Sequence, residues 1–304
     1  VSRLAAMLAL VLVVTVIMGL ALGRGAAGFQ GSLAPQRPDP MAGPGAKQQV
    51  RGPSERIRVM TYNIKSYLAD EQIGSFRLIA REVALHDPDI LVMQDAGRLS
   101  ELWRGDPKVA GSIFTGREVY TGGEYIVVSR HPLHDCRLGD ISFGAQGHAY
   151  VRCTVVANGV EFDLFTAHFL SPRDGLNAAR YERAQGVGDW QRNFNDRLAQ
   201  AHKLASDASS RRRPLVVAGD LNAPETSPVI RALLRSGLRD AFATAGLGYG
   251  YTYGHALRPG FSFLRIDHIL VSPEIGVLDC FAGGARASEH RPVIADLLLR
   301  RNPA

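Results

Sequence analysis

Three short stretches of the sequence place acids, amides and histidines directly after apolar, β-type runs. They are Gly219-Asp220-Leu221-Asn222, Arg265-Ile266-Asp267-His268 and Ser288-Glu289-His290-Arg291-Pro292. Rigid strands can direct such side chains into one shared pocket. A carboxylate beside an imidazole suits proton transfer, and carboxylate and amide oxygens suit a hard divalent cation. The three stretches together therefore indicate metal-assisted acid–base chemistry.

His290 and Asp267 form the predicted catalytic pair. A carboxylate that accepts a hydrogen bond from one ring nitrogen fixes the imidazole tautomer, and the other nitrogen can then act as a base or donate to a phosphoryl oxygen. His168, at the end of another apolar run, is a second candidate proton donor or phosphate-binding residue. His268 follows Asp267 and is expected on the opposite face of its strand, as a structural histidine.

Asp220 and Asn222 are separated by one residue and follow the apolar run Pro214–Ala218. Because side chains alternate across a strand, both are expected to point the same way and to hold one water or one phosphoryl oxygen. The alternative is an Asx-type turn leading into Pro224.

Three further residues are candidate metal ligands. Asn63 ends the run Met60-Thr61-Tyr62-Asn63 and can supply a neutral oxygen, and Asp95 ends the run Val92-Met93-Gln94-Asp95. Magnesium needs only one or two carboxylates besides water and substrate oxygens, and Asp95 and Glu289 can fill that role. The alternative for Asn63 and Asp95 is an ordinary turn residue and a cap.

Short apolar runs, many of them β-branched, alternate with helical patterns and predict layered sheets covered by helices. The predicted strands are Ile57–Ile64, Asp89–Gln94, Tyr125–Ser129, Tyr150–Val156, Val160–His168, Leu215–Ala218, Ile266–Val271 and Val293–Leu299. The predicted helices are Glu71–Leu85, Ala178–Ser206 and Val229–Arg235, the last starting with Ser227-Pro228 and stopping at Gly237.

Seven motifs in this order resemble the endonuclease/exonuclease/phosphatase superfamily, the deoxyribonuclease-like metallophosphoesterases. They are the three stretches above together with Tyr62-Asn63, Gln94-Asp95, Tyr125-Ile126-Val127-Val128-Ser129-Arg130-His131-Pro132 and Thr166-Ala167-His168. The resemblance runs from Arg58 to about Leu299. It implies an α/β fold, a four-layer sandwich of two mixed β-sheets flanked by helices. It also implies hydrolysis of a phosphate ester by an activated water, with Mg²⁺ or Mn²⁺.

The resemblance implies a role for each motif residue. Asn63 and Asp95 match metal-side groups, Glu289 a metal-proximal acid, Asp220 and Asn222 the groups that position nucleophile and phosphate, Asp267 the partner that orients His290, and His168 a phosphate-binding histidine. The usual Thr-His-Leu is Ala167-His168-Phe169 in this chain.

Two acids depart from the pattern of the superfamily. Asp95 stands where the superfamily usually has Glu, and Glu289 where it usually has Asp. One side chain is shorter by a methylene and the other is longer by the same amount. We hypothesise that the metal is displaced toward position 95 and that Glu289 spans the gap. Relaxed selection in an inactive relative is the alternative.

Two loops are expected to determine the substrate. The loop Ser171–Asn177 follows His168 closely enough for Arg173 to reach a phosphate, and Gly246–Phe263 carries four aromatic residues that could form an apolar or base-stacking rim. Ordinary loop packing is the alternative for both. The four aromatics are Tyr249, Tyr251, Tyr253 and Phe261.

The amino-terminal part of the chain differs from the rest. Residues 1–22 contain the uncharged apolar run Leu4–Leu22, which predicts a transmembrane anchor or, alternatively, a cleaved signal segment ending near Ala26-Ala27-Gly28. Residues 23–55 are rich in Gly and Pro and predict a disordered linker, and residues 56–304 form the predicted catalytic domain. We expect this domain to lie outside the cytoplasm, with secretion after cleavage as the alternative.

Charge and cysteine content set further limits. Residues 1–55 carry five basic and two acidic side chains, and so account for half of the net charge of +6. The remaining charge of the domain is more typical of a solvated basic surface than of a dedicated DNA-binding face. Three scattered cysteines are too few for a zinc site. Three unpaired, buried cysteines are expected, and the alternative is a disulfide between Cys136 and Cys153, which lie on consecutive strand-like segments, if the domain is exported.

Three functions are consistent with these features. The first is an anchored hydrolase of a phosphodiester or phosphomonoester, such as a lipid headgroup. The second is a DNA endonuclease or exonuclease, whose rate should fall steeply as salt rises. The third is a catalytically inactive binding module. No protein partner is inferred, and a monomer is expected.

Overall fold

The computed structural model describes residues 54–66, 73–105, 111–181, 183–255, 257 and 262–300. The predicted anchor or signal segment and residues 23–53 of the predicted linker lie outside these residues, whereas Ser54 and Glu55 belong to the first strand. No helix in the described part of the chain has the length and apolarity needed to cross a bilayer.

The described residues form twelve strands and seven helices. The strands are β1 Ser54–Asn63, β2 Ile90–Gln94, β3 Glu118–Gly122, β4 Tyr125–Ser129, β5 Leu133–Asp140, β6 Ala149–Ala157, β7 Val160–His168, β8 Leu215–Asp220, β9 Arg239–Asp240, β10 Asp267–Val271, β11 Gly276–Ala282 and β12 Val293–Arg300. The helices are α1 Ile73–His86, α2 Gly97–Gly105, α3 Gly111–Phe114, α4 Arg173–Tyr181, α5 Arg183–Ser209, α6 Pro228–Arg235 and α7 Ala241–Ala245.

The strands form two six-stranded mixed sheets. The order in the first is β11-β12-β1-β2-β4-β3, and in the second it is β5-β6-β7-β8-β10-β9. Each sheet contains one parallel pair, β1 with β2 and β7 with β8, among antiparallel neighbours. The two parallel pairs therefore occupy equivalent positions, at the centre of each sheet.

Three apolar clusters arrange these elements in four layers. The largest lies between the sheets and includes Val59 and Val92 from the first sheet and Val216 from the second. A second cluster packs α1 on the outer face of the first sheet, and a third packs α5 and α6 on the second sheet. The expected four-layer sandwich of two mixed sheets flanked by helices is confirmed.

The predicted helices are present, with one correction. α6 begins as expected, because the Ser227 side chain accepts a hydrogen bond from Ile230 N and Pro228 occupies the first turn. The predicted helix Ala178–Ser206 is instead two helices, α4 and α5. The prediction of a loop for Ser171–Asn177 was wrong from Arg173 onward, because α4 begins at Arg173.

The cysteines adopt the paired arrangement. Cys136 in β5 and Cys153 in β6 form a disulfide between neighbouring strands, and Cys280 is a buried free thiol. The expectation of three unpaired cysteines was wrong, and the alternative of a Cys136–Cys153 disulfide describes the structure. The disulfide covalently joins the edge strand β5 to the rest of its sheet.

Candidate active site

The candidate site lies where the two sheets meet, at the carboxyl ends of their parallel strands. Asn63 and Gln94 end β1 and β2 as register partners, and His168 and Asp220 end β7 and β8 in the same way. Asp267, at the start of the antiparallel strand β10, is paired with Asp220. Asn63 Nδ2 donates to Asp220 Oδ2 at 2.9 Å, so one hydrogen bond joins the two sheets at this edge.

A layer of buried polar side chains separates the site from the core between the sheets. Gln94 Nε2 donates to Thr61 Oγ1 at 3.0 Å and to Thr166 Oγ1 at 2.9 Å, and so connects the first sheet to the second. Gly219 permits close pairing of β7 with β8, because a Cβ there would collide with the Ala167 carbonyl oxygen. The sequence analysis assigned no role to the Gln94 side chain.

His290 and Asp267 form the expected pair. His290 Nδ1 lies 2.9 Å from Asp267 Oδ2 and 3.2 Å from Oδ1, and both residues are almost fully buried. Burial alone would lower the pKa of His290, but the charges of Asp267 and Asp220 and the hydrogen bond outweigh it and raise this pKa. With Nδ1 directed to Asp267, Nε2 faces Asp220 Oδ2 at 3.7 Å.

Asp220 is the most connected of the predicted site residues. Its Oδ2 accepts from Asn63 and lies 3.5 Å from His168 Nε2, in addition to the contact with His290. Its Oδ1 accepts from the backbone N–H of Asn222 at 3.0 Å. The carboxylate, which is 1% exposed, is therefore the point where the two histidines and the asparagine of β1 converge.

Asn222 does not extend the strand that carries Asp220, so the expectation of one extended segment holding both residues was wrong. β8 ends at Asp220, and Asn222 has a left-handed backbone with φ 47°. Its Nδ2 donates to Phe169 O at 2.8 Å, and its carbonyl accepts from Arg197 at 2.8 Å. The alternative of an Asx-type turn describes this segment, and Asn222 fixes the turn that follows Asp220.

His168 is held by an acid that the sequence analysis missed. His168 Nδ1 lies 3.0 Å from Glu124 Oε2, and its backbone N–H donates to the Tyr125 hydroxyl at 2.9 Å. Burial lowers the pKa of His168, but the hydrogen bond to Glu124 and the charges of Glu124 and Asp220 outweigh it and raise the pKa to about 9. His168 is therefore cationic at neutral pH. The signal for Glu124 was its place after Gly122-Gly123, in the turn before β4.

The three predicted metal-side residues lie around this cluster. Asp95 follows β2 with φ 52°, and its Oδ2 is 3.1 Å from Lys65 Nζ. Asn63 Oδ1 accepts from the backbone N–H of Lys65 at 3.2 Å. Glu289 is brought to the same place by Ser288, whose hydroxyl donates to Asn63 O at 2.7 Å. Glu289 Oε2 is buried without a hydrogen-bond partner among the described residues.

Asp220, Asp267 and His290 form an acidic cluster that could hold a cation. Their donor atoms lie within 4.8 Å of one another, and all three residues are buried. The sequence analysis gave these residues catalytic roles only. The cluster adjoins the predicted metal side, since Asn63 donates to Asp220 and Glu289 precedes His290 in the chain.

Tyr253, an aromatic residue of the predicted rim, borders the site, and two further rim residues pack against each other. The rings of Tyr253 and His290 have centroids 4.8 Å apart, and Tyr249 and Tyr251 stack with centroids 5.0 Å apart and an interplanar angle of 6°. Phe261 lies outside the described residues. His268 is on the opposite face, as expected, with Nε2 2.9 Å from Ala223 O.

Comparison with solved structures gives the same fold. An endonuclease/exonuclease/phosphatase family protein from Bacteroides thetaiotaomicron is 18% identical and has a TM-score of 0.60, with 82% of this chain and 100% of that chain covered. An endonuclease/exonuclease/phosphatase from Beutenbergia cavernae is 21% identical and has a TM-score of 0.59, with 82% of this chain and 73% of that chain covered. D. rerio TDP2 complexed with single strand DNA product is 12% identical and has a TM-score of 0.61, with 80% of this chain and 99% of that chain covered.

No match was found among curated proteins. The sequence model of the Endonuclease/Exonuclease/phosphatase family matches residues 60–290, a range that includes both Asn63 and His290. Most of the chain is covered, and the matched range contains every strand end that forms the candidate site. The chain belongs to the Endonuclease/Exonuclease/phosphatase family.

Proposed function

We propose that this protein is a divalent-metal-dependent phosphoesterase that hydrolyses a phosphodiester or phosphomonoester by an activated water and acts as a monomer. The observation that carries the proposal is the convergence of His290 and His168 on the buried carboxylate of Asp220, with Asp267 behind His290. This arrangement combines a proton acceptor with two imidazoles of raised pKa, which suits transfer of a phosphoryl group to water.

Each residue has one task in the proposed hydrolysis. The water oxygen bonds to phosphorus while the bond from phosphorus to the alcohol oxygen breaks. Asp220 orients the water and accepts its proton, and Asn222 fixes the turn that holds Asp220. His290, oriented by Asp267, donates through Nε2 to a phosphoryl oxygen. His168, cationic at neutral pH, binds the phosphate and protonates the leaving alcohol.

The residues of the metal side fit a hard cation. Glu289 Oε2 is a buried carboxylate oxygen without a hydrogen-bond partner among the described residues, and a cation would satisfy it. Asp95 already has a cationic neighbour in Lys65. Asn63, Asp95 and Glu289 would hold Mg²⁺ or Mn²⁺ through oxygen atoms. When bound, the ion supplies charge stabilisation to the phosphoryl oxygens.

We place the catalytic domain outside the cytoplasm, joined to a membrane by residues 1–22, with secretion after cleavage as the alternative. The disulfide between Cys136 and Cys153 supports this location, because such bonds persist in oxidising compartments. β1 starts at Ser54 and ends at Asn63 in the site, so the predicted linker would join the domain about 30 Å from the catalytic edge.

The test is a metal-dependent activity screen of the full-length chain. The substrates are plasmid DNA, phospholipid and phosphoinositide vesicles, and p-nitrophenyl phosphate with its bis ester, each with Mg²⁺, Mn²⁺ or EDTA. His290→Ala is the inactive variant, and His202→Ala, an exposed histidine on α5, is the matched control. Activity that needs the metal and His290 but not His202 supports the proposal, and equal activity in wild type and His290→Ala contradicts it.

The same screen separates the alternatives. A nuclease would prefer plasmid DNA and lose activity steeply as salt rises, and the stacked pair Tyr249 and Tyr251 could pack against a base. A non-catalytic binding module would show no turnover and no measurable affinity for Mg²⁺ or Mn²⁺ in calorimetry. A metal-dependent lipid or small-ester hydrolase would show neither result.

A further inference from the structure

Arg173, the first residue of α4, lies between Tyr253, which packs against His290, and Glu289 of the predicted metal side. Its Nη2 donates to the Tyr253 hydroxyl at 2.8 Å and is 3.9 Å from Glu289 Oε2. We propose that Arg173, held in place by Tyr253, binds an oxygen of the substrate phosphate. This proposal rests on the proposed function, and it adds a binding residue that the family motifs do not include.

Tyr253 provides a rigid support for the guanidinium. Its backbone forms bridges to both Leu264 and His290, and its ring packs against the His290 ring at 4.8 Å. Tyr253 is 9% exposed, so its hydroxyl is fixed relative to the catalytic imidazole. Arg173 is therefore held on the wall of the site next to His290, although it belongs to a helix.

The negative charge of the site explains why a cationic side chain is needed near Glu289. The described site presents five carboxylates, those of Asp95, Glu124, Asp220, Asp267 and Glu289, and an incoming phosphate would be repelled by them. His168 stands on the β7 side of Asp220, whereas Arg173 stands on the side of Glu289. A planar guanidinium matches the oxygens of a phosphate better than an ammonium does. The Arg173 side chain is 53% exposed, so a substrate can reach it.

The alternative role is structural, with Arg173 serving as the ion-pair partner of Glu289. The 3.9 Å separation is longer than a hydrogen bond, and Glu289 Oε2 has no hydrogen-bond partner among the described residues. A structural role predicts that loss of Arg173 changes the affinity for the metal. A substrate-binding role predicts that it changes the affinity for phosphate.

Calorimetry on the full-length protein distinguishes the two roles. Inorganic phosphate is titrated into protein loaded with Mn²⁺, and Mn²⁺ is titrated into protein without phosphate. The variants are Arg173→Ala, Arg173→Lys and Tyr253→Phe, and the control is Arg212→Ala, an exposed arginine just before the start of β8, at the end of the sheet opposite the site.

We expect Arg173→Ala to weaken phosphate binding by about 10-fold or more, because a hydrogen bond to a charged group is lost. Arg173→Lys and Tyr253→Phe should each weaken it by less, and Arg212→Ala should leave it unchanged. Mn²⁺ affinity should stay within about 2-fold of wild type in all four variants, because none removes a proposed metal ligand.

The proposal is overturned if wild type and Arg173→Ala bind phosphate equally, or if Mn²⁺ affinity changes, in either direction, by as large a factor as phosphate affinity. Circular dichroism melting curves of each variant show whether the fold is kept. Phosphate binding needs no turnover, so its failure differs from failure of the proposed function. A protein that binds phosphate through Arg173 and hydrolyses no ester would refute the hydrolase and keep the binding site.

Discussion

The charge of His168 depends on Glu124, and Glu124→Gln tests this dependence. Glu124 Oε2 lies 3.0 Å from His168 Nδ1, and its hydrogen bond and charge act against burial to raise the pKa of His168 from 6.5 to about 9. Glutamine keeps the shape and can still form a hydrogen bond, but it has no charge. The substitution should therefore lower the pKa of His168 toward its ordinary value and reduce the cationic fraction at neutral pH.

The size of the effect follows from the shift. A change from 6.5 to about 9 corresponds to about 3 kcal/mol at 1.36 kcal/mol per pKa unit. The Glu124 side chain is 39% exposed, so solvent screening reduces its share to about 1–2 kcal/mol. Because the folded pKa of His168 is above the unfolded value, this stabilisation is fully present below pH 6.5 and is lost as pH rises through 9.

Two measurements on the metal-free protein in EDTA check the prediction. NMR titration of the histidine ring protons should show a lower pKa for His168 in Glu124→Gln. Chemical denaturation should show Glu124→Gln less stable than wild type at pH 6 and nearly equal to it at pH 9.5. Glu118→Gln, an exposed acid on the same hairpin, is the control. An unchanged His168 pKa in Glu124→Gln, or a stability difference that is the same at both pH values, would refute the reasoning.

Three other predictions concern the metal side, the imidazole and the disulfide. If Glu289 compensates for the shorter Asp95, the double variant Asp95→Glu with Glu289→Asp should bind Mn²⁺ more tightly in calorimetry than the weaker single variant, and equal or weaker binding would reject compensation. His290→Ala should lower kcat by about 10²- to 10³-fold, because the hydrogen-bond donor to the phosphoryl oxygen is lost, and a smaller loss would exclude that role. Replacing Cys136 and Cys153 with Ser should lower the free energy of unfolding in urea by about 3 kcal/mol, and no loss would mean that the bond does not constrain the unfolded chain.

The eight strands predicted from the sequence are rich in apolar residues, and the innermost ones are the clearest. β2, β4, β8 and β10 are buried at every position, because they have neighbours on both sides and layers on both faces. Such strands read as continuous apolar runs. Their existence therefore needs no knowledge of the tertiary structure.

The four strands that the sequence analysis missed are the four sheet edges, β3, β5, β9 and β11. β5 has no buried residue, and half of its eight positions carry polar or charged side chains, as edge strands commonly do. The segment around Cys136 is strand-like, but Leu133–Asp140 lacks the apolar run that marks the eight predicted strands. Its pairing with β6 provides the missing information, because a partner strand supplies hydrogen bonds that a sequence pattern does not reveal.

The site residues divide in a similar way. Residues at the ends of buried strands, such as Asn63, His168 and Asp220, were found because a polar group after an apolar run is conspicuous. Glu124 was missed because the β3–β4 hairpin that presents it includes an edge strand. The contact between Lys65 and Asp95 depends on two left-handed backbones, with φ 47° and 52°, which the sequence pattern does not specify.

Side chains alternate between the two faces of each strand, and the positions that face the other sheet form both the core between the sheets and the site. Along β1, the positions that face the second sheet change from the apolar residues of the core to Thr61 and then to Asn63, and along β8 the last position is Asp220. Gln94 and Thr166 continue the polar layer on the neighbouring strands. The Asn63–Asp220 hydrogen bond crosses between sheets, so its geometry depends on how the sheets pack. A substitution that shifts one sheet against the other should therefore impair catalysis even when every predicted site residue is retained.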